Sequence, residues 1–82
     1  MQKKPTEAEI QEEARRARRL QMMIHLVMSV ISQGNLSVEE ASDLVASTKR
    51  AALNLFPDKE LAYDLIYKPR LQRLMLGKFR LH

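Results

Sequence analysis

Eighty-two residues, 45% hydrophobic and 29% charged, fit one small globular domain, because a chain this short buries only about 60% of its unfolded surface and cannot build a second core. The chain has no cysteine, which excludes a disulfide framework and a thiolate metal site. Fourteen Lys and Arg against ten Asp and Glu give a net charge of +4, concentrated at residues 15–19, Arg-Arg-Ala-Arg-Arg, and residues 68–82, which hold five Lys and Arg and no acid.

Two Gly, three Pro, two Tyr and two Phe leave little material for turns and strands, so the fold is predicted to be all-α. One domain over 1–82 is expected, with 1–5 and 78–82 as flexible ends. Thr6 and Glu9 have the spacing of a capping box and start helix one. Nothing interrupts it before Gly34, where positive φ suits a residue just past a helix end. Its roughly 27 residues extend about 40 Å. A short loop follows, and Ser37 with Glu40 forms a second capping box, with Leu36 placed to staple onto Ala41. The prediction is a long N-terminal helix in an antiparallel hairpin with helix two. Helix two carries an apolar stripe of Ala41, Leu44, Val45, Thr48, Ala51, Ala52, Leu55 and Phe56, with Glu39, Asp43, Ser47, Arg50 and Asn54 opposite.

Two short C-terminal helices complete the reading. Pro57 suits the first position of helix three, with Asp58 and Glu60 at its positive dipole end. Leu61, Ala62, Leu65 and Ile66 are expected to form its buried face. Pro69 limits it near Tyr67, because a residue before proline is pushed out of helical geometry. A fourth segment over residues 69–76 then buries Leu71, Leu74 and Met75 before Gly77 stops it.

Helix one implies partners. Nine of the twelve residues over 20–31 are apolar, and Gln21, His25, Ser29 and Gln33 form one narrow polar stripe. The remaining arc is wider than the stripe of a little over 100° that one neighbouring helix covers. Helix two reaches back only about 27 Å, so the first ten or so residues of helix one overhang it. Either the C-terminal helices or a second copy must cover the arc, and a homodimer is the favoured expectation. Its self-association surface is read as Ile10, Ala14, Ala17, Ile24, Met28 and Ile31. A monomeric bundle completed by the C-terminal helices is the competing reading.

No residue set for catalysis is found. His25 lacks second ligands at metal-binding spacing, and no nucleophile triad, phosphate loop or Glu-x-x-His motif occurs. The carboxylates are explained by helix starts: Glu7 and Glu9, Glu39 and Glu40, Asp58 and Glu60. The chain is therefore read as non-catalytic, without cofactor, metal or small-molecule substrate. Glu12 precedes Arg16 by one turn and offsets part of the arginine run. Arg15, Arg16, Arg18 and Arg19, with Arg70, Arg73, Lys78 and Arg80, remain as a basic surface. The aromatics Phe56, Tyr63, Tyr67 and Phe79 do not interleave with the arginine run, as they do in many nucleic-acid readers.

Residues 20–31 are too few to span a bilayer, and four glutamates precede the arginines, against a signal-peptide reading. Pro69 and Gly77 interrupt any long membrane-surface helix in the basic tail. A cytoplasmic location is expected. The functional expectation is a self-associating helical protein-protein interaction or regulatory module, its basic surface meeting an acidic protein. The alternative is a small nucleic-acid-binding regulator using the same cations.

Overall fold

A computed structural model describes residues 4–80 of the chain. The order is α1 (Glu7–Gln33), α2 (Val38–Leu55) and α3 (Glu60–Phe79), and each helix packs on the other two. No strand occurs among the described residues, so the fold is all-α. The molecule measures 50 × 20 × 16 Å. Its long axis exceeds the roughly 40 Å of α1 and the roughly 27 Å of α2, as expected when α1 overhangs its neighbour. Residues 7–15 of α1 are all exposed.

Of the two N-terminal signals, that of α2 forms both bonds of a capping box and that of α1 forms one. The Thr6 hydroxyl accepts from the Glu9 amide at 3.1 Å. At α2 the capping box is complete: the Ser37 hydroxyl accepts from the Glu40 amide at 3.1 Å, and Glu40 Oε1 accepts from the Ser37 amide at 3.0 Å. These bonds, the backbone one first, hold the Glu40 carboxyl below its ordinary pKa. Gly34 departs from expectation. Its φ of −87° and ψ of 173° are extended backbone, open to any residue. The glycine is needed for clearance: its amide donates to the Val30 carbonyl at 2.8 Å, and a Cβ at this position would stand 2.5 Å from that same oxygen.

The core is built from Leu20, Ile24, Val27 and Ile31 of α1, Ala41, Thr48 and Ala52 of α2, and Tyr63, Leu71 and Met75 of α3. Ile31 and Leu71 are its largest fully buried side chains, each contributing about 1.5–3 kcal/mol through removal from water. Thr48 enters the core because its hydroxyl donates to the Leu44 carbonyl at 2.7 Å, which leaves its methyl to pack. The predicted faces of α2 hold throughout: every residue of the apolar stripe is buried or half-buried, and Glu39, Asp43, Ser47, Arg50 and Asn54 are exposed.

The C-terminal third differs from the two short helices expected. Pro57 and Asp58 form a turn closed by the Lys59 amide on the Phe56 carbonyl at 3.1 Å, so Pro57 fills the second position of a turn and α3 starts at Glu60. From there one helix runs through Pro69 and Gly77 to Phe79 and ends at Arg80 in left-handed geometry, φ 52°. Lys78, placed among the flexible residues by the sequence, lies in the last turn and donates to the Ser32 carbonyl at 3.2 Å. Residues 1–3 and 81–82 of the expected flexible ends lie outside the described residues.

Continuity across Pro69 resets the register. Tyr63, Tyr67, Leu71, Leu74 and Met75 share one face and pack inward, whereas Leu61, Ala62, Leu65 and Ile66, expected to be buried, are exposed. Lys49 locks α3 to α2, standing 3.0 Å from both Glu60 and Asp64. Glu60 first, and then Asp64, raise its pKa. A raised cationic pKa stabilises the fold fully below the unfolded value, and that contribution is lost as pH climbs through the folded one.

Two substitutions test these local readings. Gly34→Ala is expected to lower stability by about 1–3 kcal/mol in chemical denaturation, as overpacking does; an unchanged midpoint would contradict the close approach. Pro69→Ala restores an amide to the α3 ladder and is expected to raise stability by about 1–3 kcal/mol, read as a higher thermal midpoint.

Candidate interaction surface

The apolar arc of α1 is covered on two sides within one chain. Ile24 and Ile31, read as self-association residues, have 3% and 0% of their surface exposed and leave nothing for a second copy to contact. Met28 is half-buried against the same core. The reason is α3: an unbroken helix is long enough to lie along α1 as well as α2, the role that the dimer was expected to supply. Of the six proposed residues, Ile10 and Ala14 are exposed and Ala17 is half-buried.

What remains uncovered is distributed unevenly. Among the described residues the large apolar side chains left exposed are Ile10, Met22, Leu26 and Val30 on α1 and Leu61, Leu65, Ile66 and Leu76 on α3. None belongs to α2. Met22 and Leu61, at 72% and 73%, are as open as charged residues normally are. Scattered exposed leucines need no explanation, but confinement to two of three helices does. α2 presents a polar outer face suited to water, and α1 and α3 do not.

Where the N-terminal half of α1 meets α3, a half-open groove of about 180 Å³ is lined by Ala17, Leu20, Phe56, Ala62, Tyr63 and Ile66, among others. Its volume is below the roughly 300 Å³ at which small-molecule sites begin. It fits one or two side chains. The buried Tyr63 hydroxyl has no hydrogen-bond partner, and burial raises its pKa, outweighing the opposing pull of Lys49, with a smaller upward push from Asp64. Among the described residues no group of three His, Asp or Glu side chains converges as a metal site, and no helix is long and apolar enough to cross a membrane.

The cations fall into two separate foci. Ala17 lies beside residues 62–67 of α3, and Ser32 beside Lys78. At 1.5 Å per residue, this alignment puts the centre of residues 15–19 about 18 Å along the bundle from that of residues 70–80. Arg18 and Arg19 are exposed, as are Arg70, Arg73, Lys78 and Arg80. Arg15 pairs with Glu12 at 2.7 Å, the i,i+3 contact replacing the Glu12–Arg16 pair that the sequence suggested. Arg16 turns inward, its guanidinium 5.6 Å from the centre of the Phe56 ring, and its buried Nε lacks a hydrogen-bond partner. Arg70 lies 6.0 Å from the Tyr67 ring centre. The exposed apolar residues of α3 escape the sequence reading because Pro69 signals a helix end; the spacing of four, four and three residues from Tyr63 through Tyr67 and Leu71 to Leu74 is the available signal.

No protein-family model, curated protein or solved structure matches this chain.

Proposed function

We propose that this protein is a non-catalytic helical interaction module that self-associates and presents its basic foci to an acidic protein partner. The observation that carries this reading is the confinement, among the described residues, of the exposed large apolar side chains to α1 and α3. An apolar surface on two helices of a closed bundle is costly in water and gains stability only from another molecule. The α1–α3 groove admits side chains and not a metabolite, and larger depressions elsewhere among the described residues are shallower and more open to solvent, which favours a protein over a small molecule as occupant.

Charge supports a protein partner more than a nucleic acid. Arg15 and Arg16 are engaged by Glu12 and Phe56, and the two foci stand too far apart to form one continuous stripe. Isolated cations at a rim steer an acidic partner and set its orientation without dominating affinity.

Two measurements check the reading. In sedimentation equilibrium at micromolar concentration the full chain is expected to be dimeric; a monomer mass throughout overturns self-association. In fluorescence anisotropy against DNA and RNA at two salt concentrations, no saturable binding is expected at the lower salt. Tight binding that weakens steeply with salt would replace this proposal with a nucleic-acid-binding regulator.

A further inference from the structure

The overhanging first turns of α1 carry a charge order that is complementary to itself when reversed. Glu7, Glu9, Glu12 and Glu13 precede Arg15, Arg16, Arg18 and Arg19. Laid parallel, two such segments oppose acid to acid and base to base. Laid antiparallel, they oppose acid to base along their whole length. Residues 7–15 are exposed, and the α2–α3 turn borders this stretch of α1 at Glu13 and Arg16.

At about 100° per residue, Ile10, Ala14 and Ala17 share one narrow seam. Glu7 and Arg18 flank it on one side, and Glu13 and, further round, Arg16 on the other. In an antiparallel pair related by a twofold, each flank meets the same flank of its mate. With the axis at Ala14, Glu13 stands about 1.5 Å along the axis from the partner's Arg16, and Glu7 about 4.5 Å from the partner's Arg18, both within reach of these long side chains. The small Ala14 lets the two backbones approach at the centre.

Ile10 and the groove complete the fit. Ile10 is 55% exposed, and the same twofold brings it level with residue 18 of its mate, beside the groove edge formed by Ala17, Ala62 and Ile66. No ion pair engages Arg16 among the described residues of its own chain, and its half-exposed guanidinium over Phe56 is open to a carboxylate from the second copy at its outer edge. Exposed Ala62 and Ile66 of α3 line this groove and extend the contact toward the roughly 800 Å² per partner that a specific interface buries.

We infer that the occupant of this surface is a second copy of the chain, docked antiparallel through the α1 overhang about a twofold at Ala14, with Glu7 and Glu13 of each copy meeting Arg18 and Arg16 of the other. This inference rests on the self-association reading above and specifies its interface.

The chain has no cysteine, so single cysteines report the geometry directly. Under mild oxidation Ala14→Cys is expected to give a disulfide-linked dimer. Ala17→Cys is not, because its two copies lie about 9 Å apart along the axis alone, beyond the roughly 7 Å Cα limit of a disulfide. Charge reversal supplies a second readout. Glu7→Arg with Glu13→Arg, and separately Arg16→Glu with Arg18→Glu, are each expected to weaken self-association at least about tenfold, and mixing the two variants restores dimers as heterodimers. Circular dichroism confirms that each variant is folded.

Cross-linking of both cysteine variants indicates a parallel pair and overturns the inference. A wild-type dimer in which neither variant cross-links and neither charge reversal matters places the interface elsewhere, overturning the inference while self-association stands. A monomeric wild type overturns both.

Discussion

Over residues 20–31, α1 carries apolar side chains around more of its circumference than one antiparallel neighbour hides, and the rest of the fold answers that constraint. α2 lies back along α1 after a loop held by Gly34 and the Ser37 cap, covering one side with small residues, Ala41, Thr48 and Ala52. The other side falls to α3, whose Tyr63, Leu71 and Met75 close the core. Helix three can do this only as one rod. A break at Pro69 would leave two short pieces, neither long enough to anchor at Lys49 and at Ser32 together. Packing on both flanks of Pro69 outweighs the roughly 3 kcal/mol that an interior proline costs a helix.

Much of this was legible in the residues. Capping chemistry located both helix starts in the hairpin, because Thr6 and Ser37 act through local bonds that do not depend on distant chain. The stripe of α2 was equally readable, since alanine and β-branched residues alternate cleanly with polar ones. Proline and glycine misled where tertiary contacts decide. Pro69 signals a break by local rules, yet packing overrides it; Gly34 signals positive φ, yet what it supplies is clearance above the Val30 carbonyl. The face of α3 was hidden because apolar residues surround it almost entirely, so periodicity selected Leu61, Leu65 and Ile66 while the continuous register turned them outward.

The functional surface was legible to a different degree. Ile10, Ala14 and Ala17 were identified from the overhang alone, a matter of helix lengths. Ile24 and Ile31 fall to the same surface when a second copy is favoured over the C-terminal helices as the cover of the arc, and α1's own neighbours bury them instead. Once α3 is complete, the question moves from how the chain hides its core to why α1 and α3 stay apolar outside it. The proposed self-association accounts for Ile10 and Ile66, through a seam of small side chains, reversed charges and a groove sized for an isoleucine. The cations beyond the seam, at the far end of α3, remain available to an acidic partner.

The central claim is that α1 needs neighbours on both sides. It is tested most directly by thermal unfolding, followed by circular dichroism, of a chain ending at Pro57 and thus lacking α3. The account predicts weak helicity and no cooperative transition, because Leu20, Ile24 and Ile31 lose the helix that shields them. A cooperative melt with the hairpin's full helical signal would show that α1 and α2 suffice, and would contradict the account.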